Sequence, residues 1–245
     1  IGRVVALPDA DWTPEAFCGL GAGVELTAQL PRRFAEHGYQ VLVPTLISRD
    51  DVYSGNPLVR YTNQPHREFI YRQAFEMGRH IIGYEVEKMQ AAVDQFELLN
   101  RQEDVHLPIG VAGVGEGGLL ALYTAAVDPR IDSTMVSGYF QTRERIWEEP
   151  IYRNVWSLLT EFGDAEIASL IAPRHLVIEA CAVPEVRGPV PPHDGRRGGA
   201  APGKIKTCLV AEVRTEFERA RRHYDQLKVA DRLSLVVNEN GNGPS

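Results

Sequence analysis

A chain of 245 residues that is 44% hydrophobic and 24% charged carries enough apolar material for one well-buried core. Its formal charge of −7 leaves no general basic surface to attract nucleic acid, and no apolar run approaches the roughly 20 residues needed to cross a bilayer. Cys18, Cys181 and Cys208 are far apart, odd in number and without a C-x-x-C pair, so neither a zinc site nor a disulfide framework is indicated.

Val4 to Leu7, within the run Arg3 to Pro8, reads as a short buried strand. It is followed by the loop Pro8 to Pro14, with carboxylates at Asp9 and Asp11. Pro31 to His37 reads as a short helix, since proline suits the first turn and Gly38 suits the position past the end. Tyr39 to Ile47 reads as a second strand. Strand, helix and strand at this spacing imply a right-handed crossover and parallel pairing. Ser48 to Pro65 is polar and reads as a long surface loop. From Glu68 to about Leu99 the pattern is helical, with Ile82, Val86, Met89, Val93 and Phe96 on one stripe and Gly78 and Gly83 as candidate kinks.

The stretch from Leu107 to Val127 organises the rest. Leu107 to Gly113 is an apolar strand, and from Glu116 onward Leu119, Leu120, Tyr123 and Val127 recur at helical spacing. Gly113, Gly115, Gly117 and Gly118 lie between the two halves. A strand that turns into a helix this abruptly needs positions without Cβ. Downstream, Ser133 to Phe140 is the next strand, and Gln141 to Phe162 an irregular excursion with Trp147 and Trp156. Asp164 reads as a helix N-cap, His175 to Ala180 as a strand, Leu209 to Leu227 as an amphipathic helix, and Arg232 to Asn238 as the last strand. Pro184 to Gly203 is rich in proline, glycine and arginine, and 184–207 is expected to be a mobile loop. The expectation is a single α/β domain over 1–245, a mainly parallel sheet with helices on both faces. The chain begins inside a strand-like run with no signal-peptide pattern, as a segment of a longer protein would, which leaves the compartment unassigned.

The frame Gly113-Val114-Gly115-Glu116-Gly117 has the form of a nucleophile elbow, G-x-Nu-x-G. With the strands at Ser133, His175 and Arg232, it resembles the α/β-hydrolase fold in order and spacing, without that fold's first hairpin and last helix. Gly113 to Gly118 resembles the G-x-S-E-G-G elbow of bacterial acetyl xylan esterases and dienelactone hydrolases. Ile171 to Ile178 (IAPRHLVI) resembles the lead-in to the acid-bearing strand of those enzymes.

That resemblance implies ester hydrolysis by nucleophile, acid and histidine in that chain order, with backbone amides stabilising the oxyanion. It also implies where those groups belong here. The nucleophile position holds Gly115, the acid position is best filled by Glu185 with Glu179 as fallback, and the histidine position falls in Gly241-Asn242-Gly243. Neither Gly115 nor Asn242 can do the required chemistry. Two readings stay open: a catalytically degenerate domain, a pseudoenzyme with an esterase-like cleft, or a working carboxylic-ester hydrolase that uses a displaced carboxylate such as Glu116. Asp9 and Asp11 follow the first strand at the carboxyl end of the sheet, where ligands sit in open α/β folds, and with Glu116 and Glu185 could gather as an acidic cluster. His66 and Arg67, like Arg79 and His80, are pairs suited to an anionic group. Asp9, Asp11, His66 and Arg67 are therefore the candidate binding residues, for a small ester or carbohydrate ester. No metal site, cofactor, nucleic-acid partner or membrane contact is expected, and the oligomeric state is unassigned. Gly113-x-Gly115-x-x-Gly118 also satisfies a dinucleotide fingerprint, but it lies mid-chain and the strand after it carries no carboxylate.

Overall fold

The computed structural model describes residues 1–52 and 62–237. Six strands form one sheet: β1 (Gly2–Leu7), β2 (Tyr39–Leu42), β3 (Ile109–Val114), β4 (Ser133–Ser137), β5 (His175–Ala180) and β6 (Leu233–Val237). Their spatial order is β2-β1-β3-β4-β5-β6, and every neighbouring pair is parallel. The sheet therefore reverses direction of growth between β1 and β3, and its carboxyl edge opens there. The two-residue side-chain period divides the strands. Val5, Leu7, Val111, Val136 and Ile178 face the larger core, whereas Val4, Ala6, Ala112 and Val114 face the smaller one.

Helices cover both faces, as expected of an α/β-hydrolase fold. The short α1 (Pro14–Phe17) and α2 (Leu30–Glu36) close the smaller core, to which Phe17 and Leu30 contribute. The larger core takes buried residues from α3 (His66–Glu76), α4 (Ile81–Gln102), α5 (Glu116–Val127), α6 (Asp164–Ser169) and α7 (Val210–Gln226). Helix α1 was not anticipated, although Thr13-Pro14 carries its signal: the Thr13 hydroxyl accepts the Ala16 amide, and proline stands at the first turn.

Other departures have physical causes. β2 stops at Leu42 rather than Ile47, because Pro44 has no N–H for a ladder. The expected long helix is two, α3 and α4, separated at Gly78, and the imidazole of His80 caps the second by accepting the Ile82 amide. Strand β4 ends at Ser137, not Phe140. Asp164 is not the cap of α6 but its first residue; Gly163 holds the cap position, and the buried Asp164 carboxylate accepts from Gln141 N–H and Arg143. On α5, Val127 is exposed, and Leu119, Leu120, Ala121, Leu122 and Ala125 are the fully buried apolar residues.

The elbow joins β3 to α5 at Gly115, whose backbone sits at φ +56° and ψ −113°. Gly117 is needed for a different reason. A Cβ there would lie 2.3 Å from the Leu7 carbonyl oxygen and 2.5 Å from that of Pro8, so α5 could not lie against the end of β1. Gly117→Ala is therefore expected to lower the free energy of unfolding by about 3 kcal/mol or more, since the obstacle is backbone and cannot turn aside. Gly83→Ala is the contrast. It sits inside α4 with nothing within 4 Å of an added Cβ, and is expected to stabilise by about 0.5–1 kcal/mol. Urea denaturation of the two variants reads both values.

Candidate functional site

Several segments converge at the carboxyl ends of β1 and β3. The first is the turn after β1. Asp9 is buried there, and its Oδ1 accepts the Asp11 amide at 3.2 Å. Its Oδ2 accepts the Glu116 amide, at the N-terminus of α5, at 3.0 Å. A Cβ on Gly115 would lie 2.3 Å from the same Oδ2. The Asp9 carboxylate thus covers the apex of the elbow and occupies the first amide of the helix that follows.

Arg49, in the segment beyond β2, holds that carboxylate from the other side. Its Nη1 donates to Asp9 Oδ1 at 2.6 Å and to Asp11 Oδ2 at 3.0 Å, and its Nη2 donates to Glu116 Oε2 at 2.9 Å. Its Nε donates to the Tyr152 hydroxyl at 3.2 Å. Glu116 points inward rather than out of the helix terminus, and its side chain is 0% exposed. Arg67 of α3 donates to Glu116 Oε1 at 3.1 Å and, through both Nη atoms, to Glu85 of α4 at 2.7 and 3.1 Å. Arg153 donates from Nε to Glu116 Oε2 at 2.9 Å and pairs with Glu149 at 3.1 Å. Arg143 continues the chain from Glu149 to Asp164. Burial acts to raise the Glu116 carboxyl, but the guanidiniums of Arg153, Arg67 and Arg49 override it and hold the group far below the usual carboxylate range. Glu116 is thus a fully ionised carboxylate whose oxygens face three cations.

The other expected residues are placed as follows. Glu185 is exposed beyond β5 and accepts the Thr207 amide at 3.2 Å; its carboxylate is not part of the ion network. Glu179 is buried at the end of β5, and accepts the Ser137 hydroxyl at 2.6 Å from the neighbouring strand. Asp9, Asp11 and Glu116 are brought together around Arg49, and Glu185 lies apart from them. Among the described residues no group of three or more His, Cys, Asp or Glu is placed to hold a metal ion. Asp11 and His66 line an open cleft of about 970 Å³ beside the network, with Trp12, Arg49, Tyr152 and Glu185. Arg67 is buried and faces carboxylates. Burial, then the neighbouring Arg67, lowers the His66 imidazole. Arg79 is exposed, and His80 serves as a helix cap. Asn242 lies outside the described residues.

Sequence reasoning did not single out Arg49, Glu85, Tyr152 or Arg153. Glu85 did leave a signal. It stands three residues after Ile82 and four before Met89, on the apolar stripe of α4, where an acid has no business unless a buried cation meets it. Arg49 and Arg153 lie in irregular segments with no such periodicity to betray them.

The model of the dienelactone hydrolase family matches residues 16–150, more than half of the chain and inclusive of the elbow. The chain belongs to the dienelactone hydrolase family. Solved structures share the fold of this dienelactone hydrolase family member at low identity. A crystal structure assigned as an acetyl xylan esterase from Bacteroides fragilis aligns with TM-score 0.64 and 16% identity, covering 98% of this chain and 60% of that one. A carbohydrate esterase family 15 glucuronoyl esterase from Caldicellulosiruptor kristjansonii aligns with TM-score 0.54 and 16% identity, over 99% of this chain and 63% of that one. A Thermus thermophilus protein aligns with TM-score 0.57 and 16% identity, over all of this chain and 82% of that one. The chain thus spans about three fifths of the length of the first two. No curated protein matches it by sequence.

Proposed function

We propose that this domain is a catalytically degenerate member of the dienelactone hydrolase family, one that keeps the esterase framework and presents its cleft as a binding surface for a small carboxylic or carbohydrate ester. One observation supports this reading above the rest. Where the family's elbow would mount an attacking atom, the chain has Gly115, and the space above it holds the Asp9 carboxylate. Attack on a carbonyl needs a nucleophile at the apex and free amides for the developing oxyanion. Here an internal anion rests on the Glu116 amide, and would repel a second negative charge rather than stabilise it. Glu116 itself is a poor substitute: its three guanidinium partners lower its basicity and occupy its oxygens. The similarity to structures assigned as an acetyl xylan esterase and a glucuronoyl esterase supports an acyl or sugar ester as the ligand class.

The test is hydrolysis of p-nitrophenyl acetate by the wild-type chain and by Glu116→Gln, with circular dichroism to confirm that both are folded. The expected result is a rate indistinguishable from the buffer blank for both. Wild-type turnover that falls about 100-fold or more in folded Glu116→Gln would overturn the reading, and would install Glu116 as the working carboxylate of an active esterase.

A further inference from the structure

The long excursion between β5 and α7 crosses to the opposite wall of the cleft. Glu185 to Val190 form one side of the cavity, and Ser48 to Asp50, Pro65, His66 and Glu68 part of the other. Its crossing segment is fastened at two places. At one, Asn63 donates to the Val190 carbonyl at 2.6 Å and accepts the Gly199 and Ala200 amides, while Glu68 accepts the Ala201 amide at 2.9 Å. At the other, His193 stands between two carboxylates: Nε2 lies 2.8 Å from Asp51 Oδ2, and Nδ1 lies 2.9 Å from Asp194 Oδ2. Asp51 belongs to the wall and is buried; Asp194 belongs to the strap and is exposed.

A neutral imidazole has one N–H. With a carboxylate oxygen on each ring nitrogen, one contact must set lone pair against lone pair. Only the imidazolium donates to both. We propose that His193 is a proton-operated latch, which closes the strap tip over the cleft when protonated and loosens it when neutral.

Asp51 faces the ring from the wall, and Asp194 from the strap; among the described residues the other charged group at this contact is Arg196, which donates to the Asp51 carbonyl and lies 3.4 Å from Asp51 Oδ2. An imidazole is the side chain whose ordinary titration falls between pH 5 and pH 8, so His193 carries the switch. Asp194 and then Asp51 raise the imidazole above its ordinary value. The sign follows. A group with a raised folded value contributes its contact fully below the unfolded value, about pH 6.5, and loses it as pH rises through the folded value. The latch is therefore closed in acid and released in alkali. It operates whether the cleft binds an ester or cleaves one, and makes no use of the elbow.

The chain has three tryptophans, and Trp12 lines the cleft. In a Trp147→Phe/Trp156→Phe background Trp12 is the sole indole, and acrylamide quenching reports access to it. Quenching, and hydrogen exchange of 191–201 corrected for intrinsic rates, are expected to rise roughly two- to fivefold between pH 5 and pH 8, the factor that an exposed ion pair can contribute. In His193→Gln both are expected to be flat and near the alkaline wild-type level, and Asp194→Asn is expected to shrink the step. A wild type with no step, a His193→Gln variant that keeps it, or an Asp194→Asn variant with an undiminished one would overturn the proposal.

Discussion

Glu116→Ala is expected to lower the free energy of unfolding by about 3 kcal/mol, because it removes the carboxylate that three buried guanidiniums share. The size follows from what remains. Arg49 keeps Asp9 and Asp11, Arg67 keeps Glu85, and Arg153 keeps Glu149. No arginine is stranded, so the loss lies at the lower end for a broken buried pair. It still exceeds what an exposed pair such as Arg32–Glu36 would cost, which is under about 1 kcal/mol. Urea denaturation measures both; equal effects would show that the network contributes nothing beyond surface charge.

The same carboxylate gives a pH signature. Its folded-state value is depressed below the ordinary 4.5, so its contribution is present above about pH 4.5 and is lost as pH falls toward the folded value. The stability gap between wild type and Glu116→Gln is therefore expected to be widest at neutral pH and to close on acidification. A gap that stays constant from pH 7 to pH 3 would mean that Glu116 is not ionised in the way its neighbours require.

This network explains why the fold was legible in the sequence and the site only half so. The elbow could be read because its glycines stand together in one short stretch between strand and helix, and strands β3 and β5 could be read because their apolar runs are local. The ion pairs are not local. Arg49 meets Glu116 across 67 positions, and Asp9 meets the Glu116 amide across 107. Spacing rules follow helices and strands, and neither the segment after β2 nor the turns around Arg153 has a period to follow. Asp9, Asp11, Glu116 and Arg67 could be named as a set of polar residues near one end of the sheet. That Arg49 would draw Asp9 and Glu116 inward while Asp11 stays on the cleft could not. Within this network Glu85 interrupts the apolar stripe of α4, and it points correctly to a buried cation. The helix break at Gly78 and the early end of β2 before Pro44 were legible in kind but not in extent, since Gly and Pro mark where an element can stop without fixing where it does.

The Asp9 carboxylate also sets what a serine at the elbow would cost. Gly115→Ser adds a Cβ at a backbone of φ +56° and ψ −113°, a strained conformation worth about 1–3 kcal/mol, and brings that Cβ to 2.3 Å from Asp9 Oδ2. Asp9 cannot swing clear, because the Asp11 and Glu116 amides and Arg49 hold both of its oxygens. Overpacking of this kind adds about 1–3 kcal/mol, so the single variant is expected to lose about 2–6 kcal/mol in all. With Asp9→Ala the obstacle is gone and only the backbone strain remains. Gly115→Ser should then cost about 1–3 kcal/mol, and the double-mutant cycle should show a favourable coupling of about 1–3 kcal/mol. Urea denaturation of the four proteins in the cycle gives that coupling. A serine that costs the same in both backgrounds would mean that Asp9 does not fill the apex, and that the empty nucleophile position alone, rather than an anion lodged over it, separates this elbow from a working one.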